Sequence, residues 1–252
     1  MRVSPMRALR HVVGTIGELL ITFGLLLLLF VAWQLWWTDV AAGREQAVAV
    51  QALERGFADD PVLVPEPEPK PEPSATPNPK PEPVATLKRV QLGKPFAILR
   101  VPRFGAGFAM PVLEGTDKET LTKGVGHYVG TALPGVVGNF AVAGHRTTYG
   151  RPFHNIDQLR KGDFLVVETK VSYSVYAVDR YVIVTPDKVE VIAPAPQRPG
   201  VTPRETWMTL TACHPKFSAE KRYVSFARLV KTIPRASGLP ASFMAAPKNA
   251  AA

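Results

Sequence analysis

The chain has one cysteine, Cys213, within the segment TLTACHPKF. A single cysteine cannot form an internal disulfide, so Cys213 is a small buried apolar residue, an intermolecular link or a reactive thiol. Free cysteines are most often buried and inert. A reactive cysteine needs a nearby base or cation to favour the thiolate, and donors to hold the oxyanion that forms on attack. A suitably placed histidine and arginine would therefore indicate nucleophilic catalysis.

Four histidines downstream of the apolar N-terminal segment are candidate bases for Cys213. His145 ends the apolar segment GNFAVAGH and precedes a polar loop, a position typical of functional residues on a rigid scaffold. His214 follows Cys213 directly, so in a continued strand the two side chains point to opposite faces. His154 is interpreted as a surface residue, and His127 fits a partly buried structural histidine equally well. We therefore prefer His145 as the base.

Two arginines in SAEKRYVSFARLV are candidate cations, Arg222 and Arg228. They are an even number of positions apart and share a face of the predicted strand, so periodicity does not choose between them. Arg222 lies closer to the turn after Cys213, and a two-stranded return would bring it alongside the thiol.

The N-terminal segment predicts a transmembrane helix over residues 12–37. Residues 19–37 carry no charge, and as a helix this uncharged run spans roughly 28 Å, near the thickness of a bilayer core. A cleaved signal peptide would have a shorter apolar region that ends in small residues rather than in tryptophans. The basic residues 1–11 predict a cytoplasmic N-terminus, with the remainder of the chain outside a cell membrane crossed once. An exported thiol without a partner is more often kept for chemistry, because exported domains commonly pair their cysteines.

The charge of the chain is unevenly distributed. The formal net charge is +9 and the isoelectric point is about 9.8, values that ordinarily suggest nucleic acid or an anionic surface as a partner. Residues 87–252 contain 23 Lys and Arg against 11 Asp and Glu, a net of +12, whereas residues 38–86 have 4 against 9, a net of −5. Because the basic part follows a membrane helix, we predict no nucleic-acid partner.

Two segments connect the predicted membrane helix to the folded domain. Residues 38–60 have a helical composition and could continue as a juxtamembrane helix, although their composition gives them low packing value. Residues 61–86 have proline at nearly every second position, which favours an extended polyproline II linker. At about 3.1 Å per residue, some 23 residues of this linker would reach roughly 70 Å. We interpret it as a spacer, with a proline-motif ligand as the weaker alternative.

Residues 87–235 are predicted to form one all-β domain, followed by a frayed tail over residues 236–252. Short segments rich in Val, Ile, Phe, Tyr and Thr, most of them bounded by turn residues, predict seven or eight strands. These segments are FAILRVPRF, FAMPVLEG, GNFAVAGH, DFLVVETK, YSVYAVDRYVIVT, TWMTLTAC and RYVSFARLV. One short helix is predicted in DKETLTKGV and a second is possible in FHNIDQLR, so a barrel or sandwich is expected. With no glycine-rich phosphate loop and no paired-cysteine spacing, we predict neither cofactor nor metal.

The chemistry-bearing segments resemble a known family. TLTACHPKFSAEKR resembles the sortase active-site motif, in which a Thr-Leu strand leads to the catalytic cysteine and an arginine follows on the next strand. AVAGHRTTYGRPF resembles the matching histidine segment. Together with FAILRVPRFG, HYVGTALPG and NFAVAGHRTTYGRPFHNIDQL, these segments resemble the class E sortases of actinobacteria. The resemblance covers about residues 94–231 and the membrane anchor.

The resemblance implies a fold, a reaction and roles for three residues. The fold would be an eight-stranded β-barrel, Cys213 the nucleophile, His145 the general acid/base and Arg222 the stabiliser of substrate and oxyanion. The substrate would be a secreted protein that bears a C-terminal Leu-Ala-x-Thr-Gly sorting signal. Cleavage between Thr and Gly would leave a thioacyl enzyme, which an amine of a cell-wall precursor resolves. A hydrolase would use water instead.

The resemblance also implies three substrate-binding residues, Tyr128, Thr211 and Ala212. Tyr128 occupies the position of a class E tyrosine that favours Ala over Pro in the signal. Family members commonly have Thr immediately before the cysteine, where this chain has Ala212. The absent hydroxyl bears on signal selectivity and turnover, not on the nucleophile.

Other enzymes of bacterial walls also use cysteine and histidine. Papain-like peptidases place cysteine before histidine in the chain, and L,D-transpeptidases place histidine directly before a Gly-Cys pair. Neither order occurs here. A pilin-polymerising sortase is the nearer alternative, but its lid carries an Asp-Pro-aromatic plug, whereas Asp60 and Pro61 are followed by Val62.

The alternative from a different class is a non-catalytic, membrane-tethered β-domain that binds anionic wall polymers through its basic surface. In that case Cys213 would be buried and inert.

Overall fold

The computed structural model describes residues 5–59, 87 and 89–245. The predicted Pro-rich linker of residues 61–86 lies outside the described residues, as do Asp60 and the last seven residues of the predicted tail. The chain begins with one helix, α1, over Pro5–Asp59. Within Val13–Ala58, α1 contains a stretch long and apolar enough to cross a membrane, and the barrel buries none of it. By length and composition, this stretch agrees with the predicted anchor.

Eight strands follow α1 and close into a barrel in the order β1-β2-β3-β4-β7-β8-β6-β5. Their bounds are β1 Pro95–Arg100, β2 Ala109–Glu114, β3 Val125–His127, β4 Gly138–Ala143, β5 Phe164–Glu168, β6 Ser172–Val184, β7 Thr206–His214 and β8 Lys221–Pro234. The pairs β2–β3 and β4–β7 are parallel, and the other neighbours are antiparallel. The predicted eight-stranded all-β barrel is confirmed.

Alternating side chains of each strand fill the barrel. On β7, Met208, Leu210 and Ala212 belong to the central core, together with Phe140 and Val142 of β4. Burial of each large apolar side chain stabilises the fold by about 1.5–3 kcal/mol. The intervening residues of β4 and β7 therefore face outwards, and the chemistry-bearing side chains lie on this outer face.

Strand β3 has no counterpart among the strands expected from the sequence. It has three residues, Val125–His127, and a glycine at its centre. A Cβ atom on Gly126 would lie 2.3 Å from the carbonyl oxygen of Gly115, so the two backbones approach closely only because Gly126 has no side chain. A short strand around a glycine lacks the β-branched pattern by which strands are recognised.

The two expected short helices have different outcomes. The first is α2, over Lys118–Lys123, and Asp117 caps it by accepting a hydrogen bond from the Thr120 N–H at 3.0 Å. In FHNIDQLR the chain makes only a 3₁₀ turn, Ile156–Gln158.

The C-terminal part of α1 packs on the outer face of the barrel. Val50 and Phe57 are buried against Ile98 of β1, and Leu53 flanks them. Glu54 also forms an ion pair with Arg100 at 2.6 Å. The described part of this segment, residues 38–59, therefore contributes more packing than its composition suggested. The barrel thus packs on the helix that continues directly from the apolar stretch.

Candidate active site

The register of β7 and β8 brings Cys213 beside an arginine. Cys213 lies directly opposite Arg222, whereas Arg228 lies opposite Trp207 at the far end of the strand pair. Side chains directly opposite one another in an antiparallel pair have Cβ atoms about 4.5–5.5 Å apart. Arg222 Nη1 donates to the carbonyl oxygen of Ala219 in the connecting turn, at 2.9 Å, and to that of Lys221, the first residue of β8, at 3.0 Å. The register thus makes Arg222, and not Arg228, the neighbour of the thiol.

The pairing of β4 with β7 brings His145 to the same end of the barrel. Ala143 pairs with Thr211 in parallel register, and the Gly144 N–H donates to the Thr211 carbonyl at 3.1 Å. Continuing this register by two residues places His145 level with Cys213. The histidine that the sequence singled out therefore lies two residues beyond the end of β4, and the cysteine and arginine lie on the neighbouring strands β7 and β8.

Cys213 is a free thiol and is partly exposed. It belongs to the outward-facing residues of β7, because its neighbour Ala212 belongs to the core. Partial exposure on a rigid strand gives a substrate access to the sulfur atom. A fully buried, inert thiol, as the non-catalytic alternative requires, does not fit this position.

The His145 imidazole is half-buried, and its ring centroid lies 5.1 Å from that of Tyr149. Its Nε2 atom is buried and has no hydrogen-bond partner among the described residues. Burial lowers the pKa of His145, and no charged group contributes to that shift. The ring is therefore neutral at neutral pH and able to accept a proton.

We expect Tyr149→Ala to raise the pKa of His145 towards its ordinary value of about 6.5, because removal of the neighbouring ring admits water to the imidazole. The measurement is a pH titration of the ring carbon signals by NMR with ¹³C-labelled histidine, assigned with His145→Gln.

The same shift makes stability depend on pH. In the unfolded chain the His145 imidazole binds a proton near pH 6.5, and in the folded protein it binds that proton only at lower pH. His145 therefore lowers stability as the pH falls below about 6.5. Tyr181→Ala, a change at an exposed aromatic residue that stacks on Tyr223, is the control. An unchanged midpoint in Tyr149→Ala would contradict the assignment of the shift to burial by this ring.

The three predicted substrate-binding residues have different positions. The Tyr128 hydroxyl lies 3.0 Å from the Thr211 hydroxyl, which also donates to the Val142 carbonyl at 3.3 Å. Thr211 shares the outer face of β7 with Cys213. Ala212 packs in the core on the opposite face, so only its backbone can contact a substrate bound beside the thiol.

Sequence reasoning missed a buried arginine next to the site, Arg146, which is 3% exposed. Its Nη1 donates to His214 Nδ1 at 2.8 Å and lies 3.4 Å from the Cys213 carbonyl oxygen. Its Nη2 pairs with Asp157 at 2.7 Å. Arg146 directly follows His145 in the chain, and its side chain therefore connects the start of the polar loop to the end of β7. Arginine is rarely buried, and nothing in the segment GHRTTYG signals that this one is.

His127 and His154 have hydrogen-bonded positions, with partners other than the thiol. His127 is buried between the Glu114 carboxylate and the Thr131 hydroxyl, which agrees with a structural histidine. His154 was expected on the surface and is partly exposed. Its Nδ1 donates to the Arg146 carbonyl at 3.0 Å, and its Nε2 lies 3.2 Å from the Lys216 ammonium. Among the described residues, no group of three or more His, Cys, Asp or Glu side chains could hold a metal ion.

Comparison with known proteins identifies the family. The family model of the sortase domain matches residues 99–230. The chain is 36% identical to sortase SrtE1 of Streptomyces coelicolor over 89% of its own length and 59% of that protein, so it spans less than two thirds of this relative. It is 34% identical to sortase SrtE2 of the same organism over 92% of its length and 87% of that protein.

Solved structures agree with the sequence matches. Sortase E of Streptomyces avermitilis superposes with a TM-score of 0.55 at 42% identity, over 61% of this chain and 99% of that one. The SrtA sortase of Actinomyces oris superposes with a TM-score of 0.60 at 36% identity, over 63% of this chain and 92% of that one. The resemblance of the histidine and cysteine segments to sortases is therefore confirmed, and the chain belongs to the sortase family of cysteine transpeptidases.

Proposed function

We propose that the protein is a membrane-anchored sortase that cleaves a Leu-Ala-x-Thr-Gly sorting signal between Thr and Gly and joins the released carboxyl group to an amine of a cell-wall precursor. The observation that supports this proposal most directly is the strand register, which sets Cys213 opposite Arg222 and brings the end of β4, two residues before His145, beside Thr211. These are the three groups that acyl transfer through a cysteine needs: a nucleophile, an acid/base and a cation.

Acylation follows from these positions. The thiol proton of Cys213 passes to His145, and the thiolate attacks the Thr carbonyl carbon. Negative charge develops on the carbonyl oxygen, where the Arg222 guanidinium and backbone N–H groups stabilise it. The C–N bond to glycine then breaks, and His145 gives its proton to the leaving amine. The product of this half-reaction is a thioester between Cys213 and the Thr carbonyl.

Deacylation repeats these steps with a second amine. The acceptor amine attacks the thioester carbonyl, His145 takes up the proton that the amine loses, and the C–S bond breaks to return the Cys213 thiolate. The half-buried environment of His145, which lowers its pKa, favours the neutral imidazole that accepts this proton. Attack by water on the same thioester would give hydrolysis.

Tyr128 and Thr211 are the proposed contacts for the second residue of the signal. Their hydroxyls meet at 3.0 Å on the face of β7 that carries Cys213. Thr211 is buried and orients the Tyr128 hydroxyl, which is partly exposed and can accept a hydrogen bond from a bound peptide. Alanine at this position of the signal leaves a backbone N–H that proline lacks. We therefore expect the Tyr128–Thr211 pair to favour Leu-Ala signals over Leu-Pro signals.

The cellular setting of the proposal comes from α1 and the family. We propose that α1 crosses the cell membrane once with its N-terminus in the cytoplasm, so that the barrel faces the cell wall. The partners would be secreted proteins that bear the sorting signal and the cell-wall precursor that supplies the amine.

The test uses the full chain in detergent micelles, a peptide containing Leu-Ala-Glu-Thr-Gly, and glycinamide as the amine, with mass spectrometry of protein and products. We expect a thioester adduct on Cys213 and a product joined after Thr, at a higher rate than with the Leu-Pro-Glu-Thr-Gly peptide. Tyr128→Phe should narrow that difference. A folded protein that forms neither adduct nor product with either peptide would contradict the proposal and favour a wall-binding domain.

A further inference from the structure

The loop that follows His145 is held by residues of α1. Gln46 Nε2 donates to the Tyr149 carbonyl at 2.9 Å. Asp39 Oδ1 accepts from the Gly150 N–H at 3.3 Å, and its Oδ2 pairs with Arg151 Nε at 3.1 Å. Three consecutive loop residues are thus bonded to two side chains that lie nearly two helical turns apart on one helix.

The loop has a backbone that needs external support. Tyr149, Gly150 and Arg151 have φ angles of 53°, 74° and 51°, all in the left-handed region. Two of them are not glycine. For such residues the left-handed conformation costs about 1–2 kcal/mol each, which contacts with the surroundings must offset. A Cβ atom at Gly150 would lie 2.3 Å from Gln46 Oε1, so the loop and the helix are in direct contact.

The loop in turn sets the surroundings of His145. The Tyr149 ring lies 5.1 Å from the imidazole, and the His145 carbonyl accepts a hydrogen bond from the Phe153 N–H at 3.0 Å. A shift of residues 149–151 would therefore move the ring that shields His145 from water.

The C-terminal part of α1 packs against the barrel through a buried face. Gln46 is 2% exposed and lies in one helical stripe with Ala42, Val50 and Phe57, which are also buried. Asp39 comes two residues after Trp37, at the end of the apolar stretch. The residues that hold the loop thus continue directly from the proposed membrane anchor.

We propose that residues 39–57 of α1, here termed the strap, are a positioning element of the active site, in which Gln46 and Asp39 hold loop 149–151 in the conformation that sets the His145 ring. The inference rests on the proposed role of His145 as acid/base. It also places the active-site loop beside the proposed membrane anchor, because Asp39 comes two residues after Trp37.

The test compares Gln46→Met with Gln51→Met in the full chain in detergent micelles. Methionine keeps most of the volume of Gln46 and removes the donor to Tyr149, and Gln51 is an exposed residue of the same helix. We expect Gln46→Met to lower kcat about tenfold with an unchanged KM for the peptide, because a misplaced catalytic group costs turnover and leaves binding intact. Gln51→Met should match the wild type.

The second readout is independent of activity. The NMR titration midpoint of His145 should rise in Gln46→Met, as the displaced Tyr149 ring admits water, and should stay constant in Gln51→Met. If the midpoint and kcat of Gln46→Met both equal those of the wild type, the positioning role assigned to Gln46 is refuted. The wild type could also be inactive while Gln46→Met still raises the titration midpoint of His145. That result would refute the proposed function and support the positioning role of the strap.

Asp39→Asn is the second test of the positioning role if Gln46→Met does not fold. It keeps an oxygen for the Gly150 N–H and removes the charge that pairs with Arg151, at a partly exposed site where loss of an ion pair costs about 0–1 kcal/mol of stability. We expect a twofold to fivefold fall in kcat without a change in KM. A kcat equal to that of the wild type would contradict the part assigned to Asp39.

Discussion

Cys213→Ala is expected to abolish both cleavage of the sorting-signal peptide and its transfer to glycinamide, with a fall in rate of at least about 10³-fold. Alanine has no atom that can form the thioester, so the covalent path is lost. Water and the remaining groups give no comparable route. The measurement is product formation by mass spectrometry with the full chain in detergent micelles.

Stability separates this effect from loss of the fold. Cys213 is partly exposed and lies outside the apolar core, so its truncation should leave the thermal unfolding temperature within a few degrees of the wild type. His145→Gln, just beyond the end of β4, should retain the fold and slow both half-reactions. If Cys213→Ala formed product at the wild-type rate, the nucleophile would lie elsewhere and the proposed mechanism would be wrong.

Much of the site followed from residue types and their place in the chain. Apolar alternation identified seven of the eight strands, and the polar segments at strand ends located His145 and Cys213. The register between strands was not available from the sequence. Arg222 and Arg228 share a face of β8, and only the pairing of Cys213 with Arg222 distinguishes them. Register depends on turns and on contacts between distant segments, which a single strand pattern does not contain.

The strap was undervalued for a different physical reason. Its buried face has the spacing of a helical stripe, at Ala42, Gln46, Val50, Leu53 and Phe57, but a glutamine lies within it and an alanine begins it. A polar residue in the stripe weakens the apolar periodicity that identifies a packed helix face. Gln46 is buried because it bonds to a loop more than 100 residues away, a partner that local sequence cannot indicate.

The same limit applies to Arg146. A buried arginine needs partners for its charge, and those of Arg146 are Asp157 and the end of β7 at His214. These partners lie on two other segments that the fold brings together. The sequence thus locates groups that act at strand ends more readily than groups that hold segments together.

Arg222→Ala is expected to lower kcat/KM for the peptide by about 10²–10³-fold, the cost of removing one oxyanion stabiliser. Arg222→Lys should recover only part of the loss, because a lysine ammonium is a point charge without the planar fork of a guanidinium. Steady-state kinetics of peptide cleavage, with thermal unfolding recorded alongside, give both numbers.

Arg228→Ala is the matched control, since it removes the same side chain from the same face of the same strand. Arg228 pairs with Glu205 at 2.8 Å and lies over the Trp207 ring at 4.4 Å, contacts that an exposed residue makes at a gain of about 0–1 kcal/mol. We expect its loss to leave kcat/KM within twofold of the wild type. An equal loss of activity in both variants would mean that the basic surface of β8 acts by its overall charge, whereas a loss confined to Arg222 would tie the effect to the pairing with Cys213. The contrast between the two arginines therefore tests the register itself as the source of the catalytic arrangement.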